Sequence, residues 1–97
     1  MDVEFRSRRL EQRYEHGTDA IRAWGSEVGR RYVERVAALL QAESLEHLYR
    51  IRSFDLHPLT GDRRGQYAMR LTGQMRLILS VQSDRHVTVE EVVDYHD

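Results

Sequence analysis

Apolar residues at positions 21, 24, 28, 32, 36, 39 and 40 follow one another mostly at intervals of three or four. That spacing places them on one face of a helix. It predicts a short turn near Ile21–Trp24, a break at Gly25-Ser26, and a long helix from about Ser26 to Ala42 with Ser26 as its N-cap. Trp24 and Tyr32 fall on the apolar stripe and read as core. Upstream, residues 2–5 read as a short strand. Arg6 to Glu15 reads as a charged helix with Leu10 and Tyr14 as its apolar contacts. His16-Gly17-Thr18-Asp19 then reads as a stop followed by a cap. Ser44 is placed to cap one more turn through Leu48.

Beyond about residue 53 the pattern becomes extended. Phe54, Leu56 and the run Gly65–Leu71 are followed by Thr72-Gly73, a tight hairpin signal. Gln74–Gln82 and His86–Tyr95 then alternate as strands joined by Ser83-Asp84-Arg85. The predicted fold class is α+β. A short N-terminal strand and three to four main strands form a small antiparallel sheet, and two or three helices pack on one face. A two-residue loop at 72–73 would pair 71 with 74, 70 with 75 and 69 with 76. Met75, Leu77, Leu79 and Val81 would then face the helices. Tyr67, Met69, Arg76, Ile78 and Ser80 would share the open face, because directly paired residues lie on the same side. A one-residue error in the loop would reverse that assignment.

Composition narrows the classes of function. The chain has 97 residues, so one domain spanning 1–97 is expected. There is no Cys and no Lys, which excludes disulfides, thiolate zinc sites, thiol catalysis and lysine Schiff bases. No apolar run approaches ~18 residues, the minimum for a membrane span. The residues from Met1 to Arg6 lack the basic-then-apolar order of a signal peptide. The expected location is the cytoplasm. The net charge of −1 hides a division. Residues 50–76 carry six Arg against Asp55 and Asp62, a net +4, and residues 77–97 carry Arg85 against five acids, a net −4. A basic middle and an acidic end can meet at one site. Arginine offers planar, bidentate donors suited to phosphate.

Among the five His, His57 and His96 stand apart. His57 precedes Pro58 in a segment leading into the turn Gly61–Gly65. His96 follows Asp94-Tyr95, and the period of two puts Asp94 and His96 on one face of the last strand. Histidine moves protons near neutral pH, arginine stabilises charge developing on a phosphate, and tyrosine can stack a base. Together they suit metal-independent acid–base cleavage of RNA, with the neighbouring 2′-hydroxyl as nucleophile and no cofactor. The spacing of His57, Asp94 and His96 is not a recognised metal-ligand pattern.

The stretch Leu56-His57-Pro58-Leu59-Thr60-Gly61-Asp62-Arg63-Arg64-Gly65 resembles the His-Pro-Leu-Lys-Gly-Asp turn of HigB-type toxins, the plasmid maintenance killer proteins of the RelE/ParE superfamily. Tyr67, Gly73-Gln74-Met75-Arg76-Leu77 and Asp94-Tyr95-His96 follow in the same order, and Phe5, Leu10, Tyr14 and Glu15-His16-Gly17 resemble the family's opening helix. The resemblance implies a RelE-like fold and a toxin of a type II toxin–antitoxin system. Its activity would be that of an mRNA interferase, a ribosome-dependent endoribonuclease cutting messages in the A site. The implied catalytic residues are His57, Arg76, Asp94, Tyr95 and His96, and the implied RNA contacts are Arg63, Arg64, Tyr67 and Arg70. The implied partners are the ribosome, mRNA and a HigA-like helix-turn-helix antitoxin, the last in a heterotetramer that binds operator DNA through the antitoxin. Thr60 stands where the family has Lys, Met75 stands where it usually has an aromatic, and the chain is near neutral. Two other classes stay open. One is a non-catalytic, ParE-like gyrase binder, which would need neither His57 nor the terminal Asp-Tyr-His. The other is a degenerate toxin kept for antitoxin binding and operon regulation, which Thr60 and the near-neutral charge would fit.

Overall fold

Residues 1–95 are described by a computed structural model of the chain. The elements run β1 (Asp2–Phe5), α1 (Arg8–Glu15), α2 (Gly17–Trp24), α3 (Ser26–Gln41), α4 (Leu45–Tyr49), β2 (His57–Pro58), β3 (Gln66–Arg70), β4 (Met75–Ser83) and β5 (His86–Asp94), with 3-10 turns at Arg52–Phe54 and Gly61–Arg63. The fold class is α+β, as expected. The sheet order is β1-β5-β4-β3-β2. It is a mixed sheet rather than an antiparallel one, because β1 runs parallel to β5 with Val3 beside Val87 and Phe5 beside Val89. A parallel neighbour needs a long crossover, and here the helices supply it.

The apolar stripe does what its spacing predicts. Tyr32, Val36 and Leu39 of α3 are fully buried against Leu77 and Leu79 of β4 and Val87 and Val89 of β5. The Tyr32 hydroxyl donates to Leu10 O at 2.7 Å, tying α3 to α1, and Trp24 meets the Tyr32 ring edge-on at 4.7 Å. Burial raises the Tyr32 hydroxyl pKa far above its ordinary value.

The helical region holds four helices instead of two or three, because α2 begins directly at Gly17 with no intervening loop. Ser7, not Arg6, starts α1, its hydroxyl accepting Leu10 N–H at 3.2 Å. Ser26 lies inside α3, and Gly25 at φ 88 is the N-cap. Ser44 precedes α4 but makes no capping bond with its side chain. Asp84 in the β4–β5 turn takes that role, accepting Leu45 N–H on its carbonyl at 2.7 Å and Glu46 N–H on Oδ1 at 3.3 Å. The turn therefore clamps a five-residue helix that could not persist alone. Asp84→Ala is expected to cost about 1 kcal/mol, the usual value of an N-cap side chain, read as faster amide hydrogen exchange in α4 than in α3.

The largest departure concerns register. Tyr67 pairs with Leu79, Met69 with Leu77 and Arg70 with Arg76, one residue away from the two-residue-loop expectation. The loop holds three residues, 72–74, closed by Leu71 N–H to Met75 O at 2.9 Å. Its cause is the Thr72 hydroxyl, which accepts the N–H of Gln74 at 3.3 Å and of Met75 at 3.1 Å and so stabilises a wider turn. The faces assigned to β4 hold, but those of β3 reverse. Tyr67 and Met69 join the helix-side core, and Arg76 lies on the opposite face from Tyr67.

Candidate functional site

The sheet face away from the helices has an apolar floor of Leu59, Ala68 and Ile78, with Val93 and Tyr95 packed against it. Polar groups from four elements surround this floor, and the sequence explains how each arrives. His57 pairs with Ala68 across β2 and β3, so its ring lies on the floor's side. Its Nδ1 is 2.8 Å from Asp55 O. A carbonyl can only accept, so Nδ1 carries the proton and Nε2 bears the lone pair of the neutral ring. Asp55 can offer that carbonyl because it adopts the left-handed conformation, φ 44, at the end of the 3-10 turn. Asp is one of the few residue types that tolerates it. The Asp55 carboxylate reaches Arg70 at 3.7 Å. Asp55 therefore orients His57 through its backbone and Arg70 through its side chain. Sequence reasoning missed it, although an Asp two residues before a His-Pro pair was the available signal.

Arg63 comes from the 3-10 turn after β2. Its Nη1 donates to Gln66 Oε1 at 3.1 Å and to Glu91 Oε2 at 3.0 Å, and its guanidinium lies 5.3 Å from the centre of the Tyr95 ring. This is where the basic middle of the chain meets its acidic end. Arg64, at the end of the same turn, is exposed. On β4, Arg76 pairs with Arg70 on one side and Val93 on the other. It is only 7% exposed, and Nη1 donates to Thr72 O at 2.7 Å, Met75 O at 3.1 Å and Gly73 O at 3.4 Å. Nε of Arg76 is buried with no hydrogen-bond partner among the described residues.

Other expected residues lie elsewhere. Asp94 pairs with Met75, a helix-side residue, and is exposed, whereas Tyr95 packs on the opposite face. His96, and with it the expected sharing of a face with Asp94, lies outside the described residues. Tyr67 is on the helix side, its ring 6.3 Å from that of Tyr49. Burial, followed by the Tyr67 side chain beside it, pushes the Tyr49 hydroxyl up to about 12. Toward β1, the open face turns acidic. Glu90 accepts from Ser80 Oγ at 2.7 Å and from Arg6 at 3.2 Å, and His86 Nε2 meets Glu4 at 2.7 Å. The period of two places Glu4, Ser80 and Thr88 there, but the β-bulge between Ile78 and Leu79 that turns Glu90 and Glu91 to the same side is not legible in it.

Chemically, the face presents a tautomer-fixed imidazole, a buried guanidinium held by the turn carbonyls, a second guanidinium stacked on a phenol ring, and a flat apolar floor. Such a surface fits a polyanion with bases, laid across a sheet, better than a small molecule. Two cavities lie elsewhere, one of about 260 Å³ between α1 and α2 and one of about 430 Å³ along β1 and α1. No group of three or more His, Asp or Glu among the described residues is arranged to hold a metal ion. No helix of the described residues is long and apolar enough to cross a membrane.

No family model matches the chain, and no curated protein sequence matches it. Solved structures do match. A mutant of YafQ from E. coli superposes with a TM-score of 0.66 at 15% identity, covering 96% of this chain and 91% of that one. YafQ in the E. coli DinJ-YafQ toxin-antitoxin complex gives 0.59 at 15% identity, over 96% of this chain and 90% of that one. The heterotetrameric YoeB-YefM toxin-antitoxin complex from Staphylococcus aureus gives 0.55 at 18% identity, over 100% and 98%. At these identities the likeness is one of fold, and the chain has the RelE-like α+β fold that these toxin structures share.

Proposed function

We propose that the chain is the toxin of a type II toxin–antitoxin system and acts as a ribosome-dependent mRNA endoribonuclease. The observation that carries this reading is Arg76. It is a buried guanidinium on the open face, anchored through Nη1, with Nε lacking an acceptor among the described residues. Its bonds to the turn carbonyls hold the guanidinium in place, so a phosphate arriving on the open face would meet a fixed positive charge. The fold shared with YafQ and YoeB toxins and the HigB-like residues of the sequence support the same reading. The 2′-hydroxyl oxygen attacks phosphorus and the bond from phosphorus to the 5′-oxygen breaks, leaving a 2′,3′-cyclic phosphate and a 5′-hydroxyl. His57, with its lone pair on Nε2, and His96 form the base and acid pair. Arg76 stabilises the phosphorane-like state. Tyr95 and Arg63 position a base and its phosphate. Arg64 and Arg70 lie along the path of the RNA backbone. A HigA-like helix-turn-helix antitoxin neutralises the toxin in a heterotetramer, the assembly in which YoeB meets YefM.

The test is a short pulse of expression followed by mapping of mRNA 5′ ends. Codon-registered cuts within reading frames, leaving 5′-hydroxyl ends, are the expected outcome. DNA damage without mRNA cuts would replace this reading with gyrase poisoning. Normal growth without any antitoxin would replace it with a degenerate toxin.

A further inference from the structure

The β3–β4 turn is gripped by arginines from both sides. From α3, Arg31 donates to Leu71 O at 3.3 Å and Arg35 Nε to Arg70 O at 3.1 Å. From the open face, Arg76 Nη1 takes Thr72 O, Gly73 O and Met75 O. None of the three pairs with a carboxylate among the described residues. Arg35 is 6% exposed and Arg76 7%; the charge of Arg35 is met by the Arg70 carbonyl and the Phe54 ring 4.3 Å away, and that of Arg76 by the turn carbonyls. Burying charge is costly without well-placed partners, so the place each guanidinium takes depends on the shape of the turn.

That shape depends on Thr72. Its Oγ1 accepts Met75 N–H and Gln74 N–H, while Leu71 N–H and Thr72 N–H return to Met75 O at 2.9 and 3.2 Å. The two shortest bonds of Arg76 Nη1, to Thr72 O and Met75 O, go to the residues joined by the Thr72 hydroxyl. A side chain without that acceptor would take away the partner of the Gln74 and Met75 N–H groups, and the Thr72 and Met75 carbonyls would shift.

We propose that Thr72 is a positioning residue for Arg76: its hydroxyl fixes the turn whose carbonyls anchor Nη1, and this sets where the outer end of the guanidinium meets a phosphate oxygen. The proposal rests on the RNA-cleavage reading, and the experiment separates the two. Single-turnover cleavage of mRNA on programmed ribosomes is measured for the wild type, Thr72→Val, Thr72→Ser, Arg76→Ala and the double variant Thr72→Val/Arg76→Ala. Ribosome affinity and melting temperature are measured alongside. Misplacing a catalytic group by about 1 Å costs up to ~10²-fold, so Thr72→Val is expected to cleave ~10- to 10²-fold more slowly at unchanged ribosome affinity. Thr72→Ser keeps the acceptor and should cleave within about 3-fold of wild type, and Thr72→Val should add nothing in the Arg76→Ala background. The Arg76 Nε–H resonance of ¹⁵N-labelled protein should shift in Thr72→Val and not in Thr72→Ser, a readout independent of activity. If valine prevents folding at the turn, Thr72→Ala carries the same comparison. Wild-type cleavage by Thr72→Val beside a slow Arg76→Ala overturns the role of Thr72 alone, as do additive effects or a Thr72→Ser as slow as Thr72→Val. Wild-type cleavage by Arg76→Ala overturns the phosphate-binding reading and the proposal with it.

Discussion

Arg76→Ala is expected to lower single-turnover mRNA cleavage by at least ~10²-fold, the loss typical of removing one preorganised donor from a developing oxyanion. In the attack of the 2′-hydroxyl on phosphorus, negative charge accumulates on the non-bridging oxygens. A guanidinium that is already in place meets this charge without reorganising. Arg76 is in place because Nη1 is committed to the turn carbonyls and the side chain is shut between Arg70 and Val93. Arg76→Lys should recover little. An ammonium can reach one carbonyl, but it lacks the planar set of donors that binds turn and phosphate at once. The stability change should be modest, because the variant loses bonds to the turn and also removes a buried N–H without a partner among the described residues. A cleavage rate within about 3-fold of wild type, with the melting temperature unchanged, would remove Arg76 from the chemistry.

What the sequence disclosed of this arrangement depended on how local the cause was. The α3 stripe and the alternation of β4 are local, and both are present as read. The register of β3 is also local, but it turns on one hydroxyl: Thr72-Gly73 spells a two-residue hairpin, and the Thr72 side chain makes a three-residue one. That one hydroxyl put Tyr67 on the other face of the sheet, away from His57 and Arg76 and beside Tyr49. Partners distant in sequence were not legible. Ser44 looked like the cap of α4, while Asp84, brought there by the β4–β5 turn, does the capping. The direction of β1 depends on a crossover through four helices. The division of charge was informative where the net charge was not, since Arg63 from the basic middle lies against Glu91 from the acidic end. That contact partly neutralises the face that would meet RNA. Long-range attraction to ribosomes should accordingly be weaker than for a basic relative.

Gly29→Ala should be among the most damaging single-methyl changes in the chain. Gly29 lies in the first turns of α3, where α2 crosses. A Cβ there would sit 2.7 Å from both Cα and N of Ile21 and 2.8 Å from the carbonyl carbon of Ala20. All three are backbone atoms, so no rotamer change can make room, and the two helices must separate. In an ordinary helix interior alanine is favoured over glycine by ~1 kcal/mol, and here that gain is outweighed. Separation would strip contacts from Ala20 and Tyr32, both fully buried, and would loosen the Trp24 edge against Tyr32. Overpacking of this kind costs about 1–3 kcal/mol or more. For a domain of this length, each kcal/mol moves the melting temperature by ~4–8 °C, so a fall of about 10–20 °C is expected. Gly73→Ala is the control. Nothing lies within 4 Å of a Cβ there and its φ is not positive, so its melting temperature should stay within a few degrees of wild type. Because α2 and α3 pack on the side of the sheet opposite Arg76, Gly29→Ala protein that remains folded at low temperature should keep its cleavage rate. Equal melting temperatures for Gly29→Ala and wild type would show that α2 and α3 do not cross at backbone contact.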